Sequence, residues 1–185
     1  PGAAALSISH FRTTAFPDHP VNLTLRRGEI LGLAGLIGAG RTELACAVFG
    51  VDKPVAGTLR VEGKPIKITE PRDAIANGIY LAPEDRKRTG LHLDFSLTEN
   101  ISLPDLSRYA RGTLINGAAE AKNAEVQKRR LNIKAFDVST QAGTLSGGNQ
   151  QKIVLAKWLS MKPKLIIFDE PTRGIDVGAK SEIYQ

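Results

Sequence analysis

Apolar and polar residues are arranged along the N-terminal part of the chain in patterns that predict two strands and a helix. Residues 21–25 alternate between apolar and polar, the pattern of a half-buried strand. Residues 30–34 are apolar apart from one glycine and predict a buried strand. Residues 42–49 carry apolar side chains at helical spacing, and Gly50 follows where helices commonly end. A glycine-rich stretch therefore lies between a predicted strand and a predicted helix.

Turn-forming residues divide the next stretch into a hairpin, a short helix and a short strand. Residues 57–68 predict a hairpin that turns at residues 62–64. Pro71 suits the start of a helix and Gly78 suits its end. Residues 79–81 then predict a short strand.

The composition changes from residue 84 to residue 144, where helix formers and charged residues dominate and strand signals disappear. Residues 118–131 form the clearest helical pattern. We interpret this segment as a helical subdomain inserted into an α/β core. After it, residues 150–159 predict another helix, and residues 165–168 predict a buried strand of the parallel type.

The overall composition excludes several classes of protein. Among the 185 residues 42% are hydrophobic and 24% charged, which excludes general disorder. Cys46 is the single cysteine, so an internal disulfide is excluded and a reducing compartment is favoured. No apolar run is long enough to span a bilayer, and the N-terminus does not resemble a signal peptide. The net charge of +6 fits nucleic-acid binding but also an ordinary solvated surface.

The glycine-rich stretch matches a phosphate-binding loop, G-x-x-x-x-G-K-[S/T], at every position but one. Its glycines let backbone N–H groups converge on an anion, and the helix that follows adds its positive N-terminal end. The hydroxyl of Thr42 is placed to bind Mg²⁺. The candidate nucleotide-binding residues are Gly35, Leu36, Ile37, Gly38, Ala39, Gly40, Arg41 and Thr42.

Arg41 is the departure, because the motif has lysine at this position. A guanidinium group is broader and planar, so it does not thread between phosphates as an ammonium group does. We expect nucleotide to bind the loop backbone and hydrolysis at this loop to be inefficient. The alternative is a glycine-rich turn that binds nothing.

Two carboxylates follow directly after the predicted strand 165–168. Ligands bind at the carboxyl ends of parallel strands, beside a phosphate loop. Asp169 would then hold Mg²⁺ through water, and Glu170 would orient or deprotonate an attacking water molecule. The alternative is a strand end that is simply solvated by two acids.

A second glycine cluster precedes the predicted helix 150–159 and presents another anion site. Its backbone N–H groups, the Ser146 hydroxyl and the helix dipole all favour an anion. A core with one phosphate loop has no need for this site unless it serves the nucleotide of another subunit. The candidate residues are Ser146, Gly147, Gly148 and Gln150.

These motifs together resemble the ATP-binding subunits of ABC transporters. Residues 145–151, LSGGNQQ, resemble the family signature, and residues 169–176, DEPTRGID, resemble the second acidic motif running into the D-loop, with Asp176 as its aspartate. Residues 28–43 and the run PEDRKR at 83–88 resemble, more narrowly, the C-terminal ATPase half of bacterial monosaccharide importers of the ribose, galactose, arabinose and xylose type.

The resemblance implies a fold class, domain boundaries and cofactors. The fold is expected to be α/β, a P-loop NTPase core with a mixed sheet, an N-terminal antiparallel β subdomain and an inserted helical subdomain. Residues 1–83 would form the ATP-binding core with the phosphate loop, residues 84–144 the helical insertion, and residues 145–185 the signature helix, acidic strand and D-loop. The implied cofactors are ATP and Mg²⁺, and Glu170 is the implied catalytic carboxylate.

The resemblance also implies partners and a location. An N-terminal ATPase half of the same polypeptide would supply a second nucleotide site, which the signature of this chain completes. Transmembrane permease subunits would contact the helical insertion, and a periplasmic sugar-binding protein would act indirectly. The chain would lie peripherally on the cytoplasmic face of the inner membrane, without a nucleic-acid partner.

Several positions depart from the family pattern. Glu84 stands where the Q-loop normally has glutamine. Phe11 and Phe16 are the candidates for stacking on adenine, although both also suit a core. The switch histidine is expected beyond the end of this chain, because the histidines present, at positions 10, 19 and 92, come too early. With the missing initiator Met, this indicates an incomplete domain.

Three other interpretations remain open. A DNA-repair or chromosome-organising ATPase of the same superfamily would fit the basic charge, but it needs a long heptad insertion, and residues 42–145 carry no sustained heptads. A translation-factor ATPase of the superfamily is compatible with the basic run 86–88. The third interpretation is a domain that only binds nucleotide and regulates a partner.

Overall fold

The computed structural model describes residues 2–175 and 180–181. Their strands are β1 (Ala4–Arg12), β2 (Val21–Arg26), β3 (Ala56–Val61), β4 (Lys64–Ile66), β5 (Ile79–Ala82), β6 (Ala110–Arg111), β7 (Leu114–Ile115) and β8 (Leu165–Phe168). The α-helices are α1 (Arg41–Phe49), α2 (Pro71–Ala76), α3 (Leu97–Ser102), α4 (Gly117–Arg130) and α5 (Gly147–Leu159). A π-helical turn spans Arg86–Gly90, and 3-10 helices span Leu103–Tyr109 and Ala142–Thr144.

The chain divides into two compact units. The first unit comprises Pro1–Leu81 and Pro163–Asp169, and the second comprises Ala82–Lys162 and Glu170–Gln185. The helix that follows the second glycine cluster therefore packs with the helical segment before it. The sequence analysis divides the chain at residues 83/84 and 144/145 by the motifs that each part carries, and this division stays a prediction.

The first unit contains a four-stranded antiparallel sheet in the order β2-β1-β3-β4. Its central strand β1 was not predicted, although Leu6 and Ile8 alternate with serines and are buried. The predicted hairpin is present, with β3 and β4 joined by Glu62 and Gly63, both in the left-handed conformation. Such a pair of positive φ angles suits the right-handed twist of the two strands.

Helix α1 ends where the sequence predicts. Gly50 follows it with φ 86°, and its N–H donates to the carbonyl of Cys46. A Cβ at this glycine would come within 2.6–2.8 Å of Ile68 and the backbone of Glu70. The short helix α2 also begins as predicted at Pro71, within a capping box formed by Glu70 and Asp73.

The prediction of a buried strand at residues 30–34 is wrong. This run forms no strand, and its apolar side chains are exposed, Ile30 to 99%. A strand forms only when a neighbour takes up its backbone hydrogen bonds, and this run has no ladder partner among the described residues. An apolar run shows that a segment favours burial but does not show what covers it.

Strands β5 and β8 form a separate two-stranded sheet. Every residue of β5 is buried, as expected for a core strand. Strand β8 is present at the predicted residues, but the prediction that it is buried is wrong, because Phe168 is 50% exposed and the other three residues are partly exposed. The reason is the same as for residues 30–34, since an apolar pattern does not supply the covering layer.

The second unit is built on helices α3, α4 and α5, which pack against one another. Leu97 and Ile101 of α3 and Ile153 and Val154 of α5 are fully or almost fully buried. Two details differ from the sequence prediction. Helix α5 begins at Gly147, inside the glycine cluster, and a small β6-β7 hairpin interrupts the helical segment.

No helix within the part of the chain that the structure describes is long and apolar enough to cross a membrane.

Candidate functional site

The phosphate loop in the first unit is a tight, exposed turn that leads into α1. Ala39 donates its N–H to the carbonyl of Leu36 at 3.1 Å, and Gly38 and Gly40 adopt left-handed conformations with φ of 81° and 86°. Gly40 is the N-cap of α1, and no side-chain hydrogen bond caps that end of the helix. The positive end of α1 is therefore presented by backbone groups, as an anion site requires.

Phe16 packs directly against this loop. A Cβ on Gly40 would lie 2.8–2.9 Å from two ring carbons of Phe16, so only a glycine allows this approach. Phe16 is partly exposed, whereas Phe11 is 3% exposed and belongs to the core of the sheet. Of the two aromatic candidates, the structure places Phe16 beside the phosphate loop.

The side chain of Arg41 runs back toward the start of the loop. Its Cδ and Nε lie 3.8 and 3.9 Å from the position that a Cβ would take on Gly35. The side chain of Arg41 therefore lies along the loop of residues 35–40. Its guanidinium group is planar and differs in shape from the ammonium group of the usual lysine.

Asp169 lies near α1 although it is far from it in sequence. The pKa of the Cys46 thiol is raised, first by burial and then by the negative charges of Asp52, Asp169 and Glu43. Thr42 precedes Cys46 by one helical turn, so the two side chains share a face of α1. Asp169 is 9% exposed, so its side chain is largely shielded from solvent.

The side chains of Thr42 and Asp169 carry the kinds of oxygen that bind a magnesium ion. A hydroxyl and a carboxylate are the hard oxygen ligands that Mg²⁺ prefers, with phosphate oxygens and water completing its shell. The described residues contain no group of three or more His, Cys, Asp or Glu that would hold a metal by itself. An ion bound here would therefore depend on ligands from a bound nucleotide.

Glu170 is exposed and adopts an unusual backbone conformation. Its φ of 44° lies in the left-handed region, which is unfavourable for a residue with a Cβ. It begins a turn in which Arg173 donates its N–H to the carbonyl of Glu170 at 3.0 Å. The turn directs the chain away from the strand directly after the two acids.

The second glycine cluster forms the start of α5 in the second unit. Ser146 is the N-cap, yet its hydroxyl makes no cap bond and instead accepts from the Asn149 side-chain amide at 2.9 Å. The Asn149 carbonyl oxygen in turn accepts from the N–H of Lys134 at 2.8 Å. Ser146 is exposed and the first turn of α5 carries no acidic side chain, so an anion is not repelled there.

Gln150 lies beneath this loop. It is 3% exposed, and its amide donates to the carbonyls of Ala142 and Leu145 at 3.2 and 3.1 Å. These bonds fix the backbone that leads into Ser146. The side chain is therefore placed to shape the loop from behind.

Three charged residues of the second unit, Glu84, Arg86 and Arg173, meet one another, and Arg86 also lies next to Gly147 of the second glycine cluster. Glu84 forms an ion pair with Arg173. Arg86, two residues later, is buried and donates to the carbonyls of Arg173 and Gly174. Sequence reasoning singled out Glu84 but assigned no role to Arg86 or Arg173, because nothing in the local pattern shows that these segments meet.

The predicted site residues thus fall into two groups. The first unit contains residues 35–42, Phe16 and Asp169, and the second contains Glu84, residues 146–150 and Glu170. Asp176, the expected D-loop aspartate, lies outside the described residues.

Comparison with known proteins identifies the family. Residues 19–173 match the family model described as ABC transporter. The chain is 49% identical over 184 residues to a ribose import ATP-binding protein of Rhizobium etli, covering 99% of this chain and 36% of the relative. It is 50% identical to a ribose import ATP-binding protein of Halalkalibacterium halodurans, covering 100% of this chain and 37% of the relative. The chain thus spans little more than a third of the length of these curated relatives.

Solved structures with the same fold are also ATP-binding cassettes. One is the dimeric post-hydrolysis state of the cassette MJ0796 bound to ADP and Pi, with a TM-score of 0.76 at 22% identity, covering 96% of this chain and 79% of that chain. Another is the cassette MJ1267, with a TM-score of 0.77 at 21% identity, covering 98% and 74%. The predicted α/β P-loop NTPase fold, with an antiparallel β subdomain and inserted helices, is confirmed. Because the family model covers most of the chain, the chain belongs to the ABC transporter family.

Proposed function

We propose that this chain is a nucleotide-binding domain of a bacterial monosaccharide ABC importer, in which ATP binding and hydrolysis are coupled to sugar uptake. The observation that carries the proposal is a glycine loop at the N-terminus of α1 in a chain about half identical to ribose import ATP-binding proteins. The domain would sit on the cytoplasmic face of the membrane against transmembrane permease subunits. A periplasmic sugar-binding protein would deliver the sugar.

In this proposal the phosphates of ATP lie on the backbone N–H groups of residues 35–42, next to the positive end of α1. Phe16 is the aromatic residue toward the adenine, which its contact with Gly40 supports. Phe11 is too deeply buried to meet a base.

Thr42 and Asp169 are the residues that would hold Mg²⁺. A bound magnesium ion neutralises negative charge on the outer phosphates during phosphoryl transfer. The Thr42 hydroxyl would reach it from the first turn of α1, and the Asp169 carboxylate from the end of β8.

Glu170 is the proposed catalytic residue, which orients or deprotonates the attacking water. Its exposed carboxylate follows the proposed metal ligand directly, and its left-handed backbone turns the side chain out of the strand direction. Strained backbone of this kind clusters at functional sites, which supports the assignment.

We further propose that the chain is the second, C-terminal ATPase half of its polypeptide and that its own loop is degenerate at Arg41. The exposed Ser146 with Gly147 and Gly148 would then complete the site of the N-terminal half. Gln150 would shape that loop from behind, Glu84 would act as the Q-loop equivalent, and Asp176 would serve the D-loop. The functional parts would be residues 1–83, 84–144 and 145–185.

Photolabelling of the complete protein with 8-azido-ATP tests the nucleotide site. We expect crosslinks on peptides of this chain that include Phe16 or residues 35–42, because the azide on the base lies next to that aromatic ring. Phe16→Ala should lower this labelling by about tenfold, since loss of a stacking partner costs about 1–3 kcal/mol by analogy with base stacking elsewhere. Labelled peptides are identified by mass spectrometry.

Phe136→Ala is the matched control, because Phe136 is 96% exposed in the second unit. It should leave the labelling unchanged. Absence of any crosslink on this chain, or labelling that competing unlabelled ATP does not reduce, would contradict the proposal.

A further inference from the structure

Arg86 is a buried cation without a carboxylate partner among the described residues. It is 9% exposed, and its Nη1 and Nη2 donate to the carbonyls of Arg173 and Gly174 at 3.0 and 3.3 Å. Its Nε has no hydrogen-bond partner within the described chain. Burying a charge is costly, so a guanidinium held only by backbone carbonyls is not explained by stability alone.

The same guanidinium lies against the first residue of α5. A Cβ on Gly147 would come within 2.6 Å of Nη2 of Arg86, closer than real contacts allow. Since the φ of Gly147 is not in the left-handed region, the backbone conformation does not by itself require glycine. The absence of a side chain at Gly147 therefore makes room for Arg86.

The position of Arg86 is also unusual for a helix. The N-terminus of α5 carries partial positive charge, and acidic rather than basic groups normally lie there. Arg86 therefore raises the positive potential behind the signature loop, at the place where an anion would bind.

A second contact joins the same two segments, and in this one the cation belongs to the segment at residues 173–174. The carboxylate of Glu84 pairs with the guanidinium of Arg173. Residues 84–86 and 173–174 are therefore linked twice, once through the guanidinium of Arg86 and once through the guanidinium of Arg173. Both links lie within the second unit.

The other end of the turn Arg86–Gly90 is held by α5. The ammonium group of Lys157 donates to the carbonyl of Gly90 at 2.5 Å, and a Cβ on Gly90 would lie 3.2 Å from Val154. The turn thus meets α5 near both ends: Arg86 packs against Gly147, and the carbonyl of Gly90 accepts a hydrogen bond from Lys157. A displacement of the turn therefore involves the start of α5.

We propose that Arg86 is a positioning residue that couples three segments: the Glu84 segment, the turn that follows Glu170, and the first turn of the signature helix. The inference rests on the proposed function, because the coupled segments are those that would act in ATP hydrolysis. When Glu84 moves, Arg86 transmits the displacement to Gly147 and to residues 173–174 together.

Hydrogen–deuterium exchange of the complete protein tests the coupling without relying on activity. Arg86→Gln keeps a polar side chain but is shorter, uncharged and without the two-pronged Nη1/Nη2 donor. We expect amide exchange to accelerate by about tenfold in peptides covering both residues 145–150 and residues 170–175. Arg88→Gln is the matched control, because Arg88 is exposed in the same turn. Acceleration in only one of the two peptides, or in neither, overturns the proposal.

Steady-state ATP hydrolysis separates positioning from a purely structural role. In Arg86→Gln we expect kcat to fall by about tenfold, with the KM for ATP changed less than about twofold. Arg86→Lys should not restore kcat, because one ammonium group does not reproduce the guanidinium fork. An unchanged kcat despite altered exchange overturns the coupling role.

The two proposals fail in distinguishable ways. If the wild-type protein neither binds nor hydrolyses ATP, the proposed function fails and the coupling is decided by the exchange of the two peptides alone. If the wild type hydrolyses ATP and Arg86→Gln does so equally well, only the inference about Arg86 fails.

Discussion

At the residue scale, Lys157 shows how burial gives one side chain a measurable pH dependence. Burial lowers the pKa of its ammonium group from 10.5 to about 8, although Nζ donates to Gly90 and lies 4.9 Å from the Trp158 ring. The unfolded chain therefore binds more protons at this residue between the two pKa values. Where the unfolded state binds more protons, the free energy of unfolding rises with pH.

The prediction is that Lys157 contributes a rise in stability from pH 8 toward pH 10.5. Its slope is at most about 1.4 kcal/mol per pH unit. Lys157→Met should remove this contribution. The unfolding free energy of the variant minus that of the wild type should therefore fall as the pH rises from 8 toward 10.5. Urea unfolding followed by the fluorescence of Trp158, the single tryptophan, measures it at several pH values.

Lys122→Met is the control, because Lys122 is exposed on α4. It should shift the unfolding free energy by a similar amount at each pH. A difference between Lys157→Met and wild type that does not vary with pH would show that the ammonium group is not destabilised in the folded state.

At the element scale, the end of α1 depends on a single glycine. A side chain at Gly50 would combine a left-handed backbone with overlap onto Ile68 and the Glu70 backbone. Gly50→Ala should therefore lower the free energy of unfolding by about 2–4 kcal/mol. Thermal or urea unfolding of the chain provides the measurement.

Gly117→Ala is the matched comparison. Gly117 begins α4, and a Cβ there would meet nothing within 4 Å. This change should alter stability by less than about 0.5 kcal/mol. Equal losses in the two variants would mean that the packing around Gly50 does not determine where α1 ends.

The elements that the sequence predicted well have local causes. Helix α1 ends at a glycine, α2 begins at a proline, and the β3-β4 hairpin turns at Gly63. Each boundary is therefore determined by the residue that stands at it. Strand β1 was missed because its period-two pattern is short and lies in a small-residue terminus. The run at residues 30–34 was wrongly assigned because strand formation depends on a neighbour that the apolar pattern does not specify.

At the scale of the whole chain, the candidate site was predictable where its residues are contiguous. Residues 35–42 and 146–150 are contiguous runs at the N-termini of α1 and α5, so their place in the fold follows from local sequence. The hydrogen bonds of Arg86 reach Arg173 and Gly174, which lie 87 and 88 positions further along the chain. The contact of Phe16 with Gly40 likewise joins a loop to the N-cap of α1. Such pairs depend on how distant segments pack, and a single sequence does not show this.

The N-termini of helices α1 and α5 are expected to contribute unequally to ATP turnover. In the proposed arrangement the phosphate loop serves a degenerate site, whereas the signature completes the efficient one. Ser146→Glu places a carboxylate at the start of α5, where negative charge favours the helix but repels phosphate. ATP turnover of the complete protein should then fall by about 100-fold.

Arg41→Gln should lower the same turnover by less than about threefold, because hydrolysis at its own loop contributes little in this arrangement. Ser107→Glu is the control for added negative charge, since Ser107 is an exposed serine of the 3-10 helix Leu103–Tyr109 in the second unit, and it should leave turnover unchanged. Equal losses in Ser146→Glu and Arg41→Gln would show that the two sites contribute equally. A larger loss in Arg41→Gln would reverse the assignment and make the arginine-bearing loop the efficient site.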